Sequence, residues 1–526
     1  MNVAHPRLAL LLLALLGGCA SQPMPAPTAP APPPATAQEG VFTDAAGHSR
    51  TVAIAALSHT GNGSYRWPDG RRYSGAWRRG RPHGTGTQQW PDGRRYQGQY
   101  RNGQFHGTGT YTAASGAVYR GQWLDGARHG QGRQEDAKGR YVGAWRAGVR
   151  HGEGRFAGSD GSRYVGDYLD DLRHGRGTLT RPDGSRYEGD WLADEPAGFG
   201  TLTWPDGRRR EGQWVEGRSS GYGEFSHPAG LHYRGHWRDD LRHGYGEETQ
   251  PDGSHYAGDW QRDQRHGSGR LTFADGRVHA GEWQQGRISG RGTRSSPAGY
   301  SLTGLWIDGR LPSGRLQLGS GSPYEGALFT TGANRLHGDL ADWLAARAQA
   351  GDATAAFLLA LRGGDSRARP GYLLQAANAD IAAAQVALAR SLLEADPRGA
   401  LTWLERAAAV PAQPQPAAHF LLGQLYHLNP ALPQDEDQAE DHYRRAIALG
   451  SISARRNLAL MLATTSISYL RDPMAAIALL APLADYYDDA QLLEALALVY
   501  EAAGRPDKAR AARARARDLS QEETPS

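Results

Sequence analysis

The first part of the chain alternates aromatic and polar positions around a glycine. In the stretch YQGQY, which runs from Tyr96 to Tyr100, every second residue is a ring or the glycine, and the others are polar. Since alternate residues of a strand share a face, the pattern predicts a strand with one aromatic face, broken by a glycine gap, and one polar face. A ring from an adjacent strand can lie over such a glycine, where a side chain would clash. A helix is a poor alternative, because glycine at this density would cost it about 1 kcal/mol at each site.

This stretch belongs to one copy of a repeat of 22 or 23 residues. Its first tyrosine has equivalents at Tyr73, Tyr96, Tyr119, Tyr141, Tyr164, Tyr187, Arg210, Tyr233, Tyr256, His279, Leu302 and Tyr324. A glycine follows each of them by two residues and a Trp or Tyr by four, except that Leu328 replaces the ring in the last copy. A half repeat, residues 61–70, precedes the first full one. An array this regular indicates a repeat architecture, in which each unit packs on its neighbours.

Two kinds of turn separate the strands of each copy. Many copies carry Asp-Gly, as at Asp92-Gly93, and this pair between strands is a strong hairpin signal because glycine accepts positive φ. A second turn is predicted over residues 101–107, with the next strand starting at Thr108 and carrying its own G-x-G. Each copy is therefore predicted to form one β-hairpin, and successive hairpins to pair into a long antiparallel sheet.

From Asp339 the composition changes to alanine and leucine with few glycines. Four similar segments place one small residue at the same position, at steps of 34, 36 and 38 residues: Ala389, Gly423, Ala459 and Ala497. Small residues there let paired helices approach closely. Second helices are predicted between them, over residues 397–409, 435–449, 473–486 and 506–518. Asp396 and Asp472 each precede a proline. This pair predicts the start of a helix, with the aspartate as the N-cap and the proline at the first helical position. A two-helix unit of this length predicts a helical solenoid.

Both patterns resemble known repeat families. The motif G-x-x-x-Y-x-G-x-W-x-x-G-x-x-H-G-x-G, over about residues 61–338, resembles the membrane occupation and recognition nexus (MORN) repeat, which implies a twisted, elongated sheet. Residues 299–314 and 324–338 depart from it, and we interpret them as a degenerate C-terminal cap. The helical part resembles the Sel-one-like variant of tetratricopeptide repeats, which implies a scaffold that docks peptides or proteins; a helical bundle without a binding role is the alternative. The predicted fold class is a multi-domain repeat protein, an elongated antiparallel β-hairpin array followed by an α-helical solenoid.

Residues 1–18 are predicted to be a signal peptide. Arg7 precedes a nine-residue apolar run, Leu8–Leu16, which is too short to span a bilayer and typical of a signal-peptide core. The sequence LGGC that ends at Cys19 resembles a bacterial lipobox, which implies lipid attachment at Cys19. Since Ala20 follows rather than Asp, the resemblance implies a protein of the cell envelope, at the outer membrane and facing the periplasm. An ordinary signal peptide with an incidental cysteine is the alternative.

The remaining boundaries follow from composition. The chain is divided into a Pro/Ala-rich tether over residues 19–39, the β array over 40–338, the helical repeats over 339–520 and a disordered tail over 521–526. Cys19 is the only cysteine, so its lipidation would leave the folded part without a thiol for a disulfide or a nucleophile.

The charge of the chain is uneven. Residues 40–338 hold 40 Lys and Arg against 31 Asp and Glu, and residues 339–526 hold 18 against 23. We interpret a net charge of +9 spread over the β array as too weak and diffuse for a nucleic-acid binder, which concentrates its basic residues on one face.

A histidine precedes a glycine at one repeat position in His83, His106, His129, His151, His174, His243 and His266. Zinc binding or pH sensing is one interpretation of this column. Packing at the turn is favoured, because neighbouring hairpins lie about 10 Å apart and two such histidines cannot both reach one zinc ion at about 2 Å. The same position holds Ala197, Ser220 and Ser289 in other copies. We predict no metal site, no cofactor and no enzymatic activity, because both halves are repetitive and offer no unique set of acid, base and nucleophile.

The aromatic face is the candidate binding surface. Its rings either pack the sheet alone or also contact a peptide, glycan or acyl chain. They are Tyr73, Trp77, Tyr96, Tyr100, Tyr119, Trp123, Tyr141, Trp145, Tyr233, Trp237, Tyr256, Trp260, Trp283 and Trp306. Trp306, near the degenerate end, is expected to be less covered than the rings of the middle copies.

The predicted function is a non-enzymatic, membrane-anchored envelope scaffold that uses both arrays for protein–protein interaction. The alternative is a glycan- or lipid-binding module that uses the aromatic face. The expected partners are a protein on the helical repeats, the membrane through the lipid anchor and, under the alternative, a glycan or a phospholipid; no nucleic acid is expected.

Overall fold

The computed structural model describes residues 39–319, 321–329, 336–362 and 367–522. Cys19, the predicted signal peptide, the tether up to residue 38 and residues 523–526 of the predicted tail lie outside these ranges. The described chain forms two compact units. One comprises residues 39–205 and 209–219, and the other comprises residues 206–208 and the described residues from 220 onward.

Strands make up the first unit: β1 (Glu39–Asp44), β2 (Ser49–Ala53), β3 (Gly61–Arg66), β4 (Arg72–Arg78), β5 (Arg81–Gln89), β6 (Arg95–Arg101), β7 (Gln104–Thr112), β8 (Val118–Leu124), β9 (Ala127–Asp136), β10 (Gly139–Arg146), β11 (Val149–Gly158), β12 (Arg163–Leu169), β13 (Leu172–Thr180), β14 (Arg186–Leu192), β15 (Glu195–Thr203) and β16 (Arg209–Val215). The second unit continues with β17 (Arg218–Ser226), β18 (His232–Arg238), β19 (Leu241–Thr249), β20 (His255–Gln261), β21 (Gln264–Thr272), β22 (Val278–Gln284), β23 (Arg287–Ser296), β24 (Tyr300–Trp306), β25 (Ser313–Leu318) and β26 (Tyr324–Ala327).

Helices follow the last strand: α1 (Gly338–Gln349), α2 (Ala353–Arg362), α3 (Arg369–Asn378), α4 (Ala382–Leu392), α5 (Pro397–Ala408), α6 (Pro416–Leu428), α7 (Glu436–Ala448), α8 (Ile452–Thr464), α9 (Pro473–Tyr487), α10 (Ala490–Ala502) and α11 (Pro506–Glu522). The predicted fold class, an antiparallel β-hairpin array followed by helical repeats, is confirmed.

At the start of the sheet, β1 pairs with both β2 and β3. Within each unit, consecutive strands of the repeats pair antiparallel with their glycines opposite one another. Gly98 on β6 faces Gly109 on β7, and Gly109 in turn faces Gly121 on β8. Tyr96 and Tyr100 are buried on one side of β6, whereas the glutamines between them are exposed on the other. The alternation of the sequence therefore gives the two faces that it predicts.

Each repeat tyrosine covers a glycine of the next strand with its ring. A Cβ added to Gly109 would lie 2.6 Å from Cζ of Tyr96, so no larger residue fits without movement. The hydroxyl of Tyr96 donates to the carbonyl of Gln99 at 2.9 Å. The same hydroxyl contact, at 2.8–3.0 Å to the carbonyl three residues on, recurs at Tyr73, Tyr119, Tyr141, Tyr164, Tyr187, Tyr233 and Tyr256.

Two tight turns join the strands. At the first turn, the N–H of Trp90 donates to the carbonyl of Arg94 at 2.9 Å, and Gly93 takes a φ of +91°. At the second turn, β6 and β7 are joined through Asn102 and Gly103, whose φ values are +52° and +87°. Positive φ at both central residues is the turn geometry that matches the twist of paired strands.

The predicted turn over residues 101–107 is wrong, because β7 already begins at Gln104. The register between β6 and β7 shifts at this point, so that Gly107 and Thr108 have no partner on β6. Gly107 takes a φ of +58°, and Oε1 of Gln99 accepts the N–H of Thr108 at 2.9 Å. Gly107 and Thr108, directly after His106, therefore form a β-bulge inside a strand, and the glycine supplies the left-handed conformation.

The predicted helices in the second half are present, with ends that differ from the prediction by no more than four residues. The carboxylate of Asp396 accepts the N–H of Gly399, and that of Asp472 accepts the N–H groups of Met474 and Ala475, so both act as N-caps. The predicted close approach of paired helices is also present. A Cβ added to Gly423 on α6 would lie 2.6 Å from Cδ1 of a tyrosine on α7.

Segments outside the repeat close both ends of the array. At the start, the hairpin β1–β2 places the carbonyl of Val52 2.8 Å from the hydroxyl of Tyr65, which also accepts the N–H of Gly40 at 3.0 Å. The sequence did not predict this hairpin, because it lacks the repeat pattern. At the other end, leucines of β25 pack with Leu340 and Leu344 of α1 in one apolar cluster, where a degenerate cap was predicted.

Helices contact turns of the sheet within the second unit. Nη1 of Arg455 donates to the carbonyl of Ala229 at 2.6 Å, and Oγ1 of Thr354 donates to the carbonyl of Ala298 at 3.0 Å. The predicted domain boundary lies between residues 338 and 339. A fragment that ends there would lose both of these hydrogen bonds. The boundary itself stays a prediction.

The tyrosine-on-glycine contact predicts the effect of a single methyl group. We expect Gly109→Ala to lower the free energy of unfolding by about 1–3 kcal/mol, because the methyl group overpacks the ring of Tyr96. Urea unfolding followed by tryptophan fluorescence measures it. The control is Gly116→Ala, at a turn with a φ of +85° and open space, where backbone strain alone costs about 1 kcal/mol. A smaller effect at Gly109 than at Gly116 would show that the ring contact is not tight.

Candidate functional site

The aromatic face is the candidate surface that the sequence predicts. Its rings lie in a row, each in edge-to-face contact with the next, and we call this row the ladder. The ring centroid of Tyr96 lies 5.1 Å from that of Tyr100 and 5.4 Å from that of Trp123 in the next copy, with interplanar angles of 85° and 89°. This is the favoured geometry for aromatic pairs. Corresponding distances of 4.9–5.5 Å recur through both units. Nε1 of Trp123 donates to the carbonyl of Gly109 at 3.2 Å, so its polar atom is paired as well.

Arginines cover the ladder and tie one copy to the next. The guanidinium of Arg173 lies 4.3 Å from the ring centroid of Trp191. Its Nε donates to Oδ1 of Asp194 at 3.0 Å, and its Nη2 donates to the backbone carbonyl of Asp194 at 2.7 Å. Arg150 with Asp171 and Arg242 with Asp263 repeat the arrangement. Each arginine therefore clamps a ring between two repeats by cation–π contact and hydrogen bonding.

The electrostatics of the ladder favour fixed protonation states. Burial raises the pKa of Tyr168 to about 12, against the opposing charges of Arg150 and Arg173. Burial lowers the pKa of Arg128 to about 10, which leaves it protonated at neutral pH. Burial also opposes ionisation of Glu248, but the guanidiniums of Arg242 and Arg265 outweigh it and hold the pKa of that carboxyl below its usual value. None of these groups exchanges protons near neutrality, so the ladder is suited to packing rather than acid–base chemistry.

All fourteen rings predicted as a binding face are buried, from fully buried Tyr96 and Tyr256 to Trp237 at 7% exposure. The expectation that Trp306 is less covered is wrong, since it is 2% exposed. The reason is local: Arg294 lies 4.4 Å from its ring centroid and the ring of His279 lies at 5.0 Å. The geometry favours the packing interpretation, and a ligand-binding role for these rings stays a prediction.

The histidine column lies at the bulges. Nδ1 of His106 is 3.5 Å from Oδ1 of Asp125, and Nδ1 of His151 is 3.4 Å from Oδ1 of Asp170, each in the turn of the next hairpin. These contacts agree with the favoured role of the histidines in local packing. Among the described residues, no three His, Cys, Asp or Glu side chains are grouped closely enough to hold a metal ion.

Two functional candidates were missed by sequence reasoning. One is a row of arginines on the face opposite the ladder, at the strand ends of β3–β6. The total charge of the array concealed this row. The other is a histidine pair between helices, in which Nδ1 of His419 on α6 lies 3.1 Å from Nδ1 of His442 on α7. The ring of Tyr426 stacks parallel to His442 at 5.8 Å. Histidines 23 residues apart carry no local signal in the sequence of a helical repeat.

Within the described ranges, none of the helices combines the length and the apolar character needed to cross a bilayer.

Comparison with known families identifies the β array. The MORN repeat model matches residues 60–71, 73–94, 96–118, 119–139, 141–163, 164–186, 187–208, 211–231, 233–255, 256–276 and 279–299. The resemblance of this part of the chain to MORN repeats is therefore confirmed. No curated protein matches the sequence.

Several solved structures of repeat proteins are similar to the chain. One is a Sel1 repeat protein from Oxalobacter formigenes, with 19% identity, coverage of 35% of this chain and 78% of that protein, and a TM-score of 0.29. Another is c5321, a protective antigen of uropathogenic Escherichia coli strains with an SLR fold, with 18% identity, coverage of 34% of this chain and 40% of that one, and a TM-score of 0.30. MamA is similar at 18% identity, with 35% and 89% coverage and a TM-score of 0.24.

The histidine pair predicts a pH dependence for the helical repeats. Burial, followed by the charge of the neighbouring His419, lowers the pKa of His442 to about 4, and burial also lowers that of His419. An unfolded histidine titrates near pH 6.5, so below that pH the unfolded chain binds protons that the folded chain refuses. We expect full stability above about pH 6.5 and a progressive loss towards about pH 4. Urea unfolding followed by circular dichroism at 222 nm, from pH 7 to 4.5, measures it.

The matched variant is His442→Phe, which keeps a flat ring beside Tyr426 but cannot titrate. Its stability should fall less steeply with pH than that of the wild type. Identical pH dependence in the two proteins would contradict a role for the pair.

Proposed function

We propose that this chain, whose residues 60–299 form MORN repeats, is a non-enzymatic scaffold of the bacterial envelope that is held at the outer membrane by lipid on Cys19 and docks a protein on its helical repeats. Cys19 and the apolar run before it lie outside the described residues, and the lipobox-like sequence supports this part of the proposal.

The observation that carries the docking proposal is a pair of exposed side chains, an aromatic and a methionine, close in sequence at the start of α9. Tyr469, between α8 and α9, is 72% exposed, and Met474, in the first turn of α9, is 54% exposed. Both are held in place: the hydroxyl of Tyr469 donates to Asp437 at 2.9 Å, and Nη2 of Arg505 lies 3.6 Å from Sδ of Met474. Ordered, exposed aromatic and methionine side chains are the residue types that anchor protein interfaces.

The β array supports a scaffold role rather than catalysis. Its conspicuous side chains are used in contacts that repeat from copy to copy, and the arginines that touch rings also hold aspartates of the next turn. A reaction needs one pocket with convergent groups of suitable pKa.

The alternative, a glycan- or lipid-binding module acting through the aromatic face, requires the ladder to open, since its rings are buried. Titration of the purified protein with peptidoglycan fragments and with anionic liposomes separates the two proposals. Saturable binding that is lost in Trp123→Ala, after correction for the folded fraction, would favour the alternative.

The anchoring proposal predicts the behaviour of Cys19→Ser. A serine cannot form the thioether to lipid, so we expect the variant to leave the membrane fraction or to remain unprocessed. Fractionation and mass spectrometry of the N-terminus measure both. Processing and membrane partitioning like those of the wild type would contradict lipid attachment.

The docking proposal predicts the effect of Tyr469→Ala combined with Met474→Ala. We expect the yield of a partner protein that crosslinks to the wild type in membranes to fall roughly tenfold or more, because central anchors carry most of the binding energy of an interface. Leu361→Ala combined with Leu374→Ala, at exposed positions on α2 and α3, serves as the control and should retain the partner. Retention of the same partner by both double variants would place the docking surface elsewhere.

A further inference from the structure

The first copies of the sheet carry a distinctive polar face opposite the ladder. Strands β3–β6 present arginines at their ends on this face: Arg66, Arg72, Arg78, Arg81, Arg95 and Arg101. Between them lie short uncharged polar side chains, with Ser64, Ser74, Thr87 and Gln97 in one cross-strand row and Thr85 and Gln99 in another. Strands β3–β7 contain no carboxylate. We call this surface the arginine-framed face.

The positive charge of the sheet is concentrated here. Residues 61–101 hold nine arginines and two aspartates, a net charge of +7, while the whole of residues 40–338 carries +9. The two aspartates, Asp69 and Asp92, lie in turns and pair with Arg71 and Arg94. Six of the nine arginines lie on the arginine-framed face, and one of them, Arg101, pairs with Asp125 at 2.9 Å. The sheet charge that the totals suggested to be diffuse is therefore concentrated on this surface.

The arrangement works against the stability of the sheet. Arg66 lies directly opposite Arg72, and Arg78 directly opposite Arg81, and like charges in such pairs are destabilising. Among the described residues, no carboxylate forms an ion pair with any of these four. In a later copy, Arg186 pairs with Glu188 at 2.6 Å on the same face. Exposed arginines that lack a carboxylate partner and cost stability point to a ligand.

The side chains define the chemistry of that ligand. Guanidinium groups bind carboxylates and phosphates through paired hydrogen bonds. Hydroxyl and amide side chains both donate and accept, as a surface for sugar hydroxyls must. Arg72 and Arg78 lie six residues apart on β4, about 20 Å along the strand, so the face is long enough for several sugar units.

Two other anionic partners fit less well. Surfaces that bind lipid membranes combine basic residues with exposed apolar or aromatic side chains that enter the bilayer, and surfaces for single-stranded nucleic acid stack bases on exposed rings. Between residues 42 and 123, all of which are described, no large hydrophobic side chain is exposed.

We propose that the arginine-framed face binds a strand of an acidic glycan, with the arginines on its carboxylate groups and the threonine and glutamine side chains on its hydroxyls. This surface lies opposite the aromatic ladder, and its binding does not require lipid on Cys19.

The test uses the full chain with Cys19→Ser, so that no acyl chain enters vesicles, and polygalacturonate as the acidic glycan. The wild-type face should bind polygalacturonate and not neutral dextran. Arg72→Gln, Arg78→Gln and Arg95→Gln together should weaken binding roughly tenfold or more, since each exposed charge contact contributes a few-fold. The melting temperature of this triple variant should stay the same or rise, because a like-charge pair is relieved at each of Arg72 and Arg78.

The matched control combines Arg140→Gln, Arg146→Gln and Arg163→Gln. It removes the same charge at the equivalent positions of two later copies, in which Val142 and Val165 replace the polar side chains of the arginine-framed face. It should weaken binding less than about threefold, because net charge alone acts through screened, long-range forces. A further variant, Gln97→Val, introduces the residue found at that position in two other copies without changing the charge, and it should weaken binding a few-fold.

Four outcomes would overturn the proposal. They are an absence of polygalacturonate binding, equal binding of dextran, equal weakening in the control triple variant, and binding to phosphatidylglycerol vesicles that polygalacturonate does not displace. The last outcome would identify the face as a membrane-contacting surface instead.

Discussion

The sheet depends on one contact, a tyrosine ring lying over a glycine of the next strand. Tyr96 over Gly109 is an example: the ring occupies the space that a Cβ would need, and its hydroxyl is bonded to the carbonyl of Gln99. The contact requires a ring on one strand and a glycine at a fixed register on the next, so each hairpin determines how its neighbour pairs. The rings then meet edge to face from copy to copy, and arginines cover them. The array thereby builds a buried core from the side chains of one sheet face.

This way of building a core decides where function can lie. Rings that are fully used in packing offer little to a ligand, and the arginines on the ladder are held by aspartates of the next turn. The remaining surfaces are the polar face of the sheet and the outer surface of the helical repeats. On the polar face, positions between the buried rings vary between copies without disturbing the ladder, so one stretch of repeats can carry hydroxyls and arginines while another carries Val142 and Val165.

Much of this fold could be predicted because its determinants are local and repeated. The alternation around Gly98, the Asp-Gly turns and the N-caps at Asp396 and Asp472 are each specified within a few residues. The bulge at Gly107 was mistaken for part of a turn, since positive-φ glycines occur in both and only pairing distinguishes them. The hairpin β1–β2 was missed because it departs from the repeat. The burial of Trp306 depends on Arg294, which the spacing of the aromatic residues does not reveal.

The candidate site was harder to predict than the fold. A periodic row of aromatic residues has the same sequence whether it is a core or a binding surface, and burial separates the two only when neighbouring copies are in place. The arginine-framed face was concealed for another reason: a charge summed over the array averages one basic surface with balanced ones. The histidines at positions 419 and 442 approach one another only through the packing of α6 on α7.

The central claim, that the aromatic ladder is a core rather than a ligand surface, is tested most directly by hydroxyl-radical footprinting of the full chain. Modification of ring side chains is read by mass spectrometry, with and without envelope fragments, and exposed Tyr222, Tyr245 and Tyr469 serve as internal references. The account predicts that the ladder rings, including Trp306, are modified far more slowly than the references in both samples. Rapid modification of the ladder rings in the free protein, followed by protection when envelope fragments are added, would contradict it.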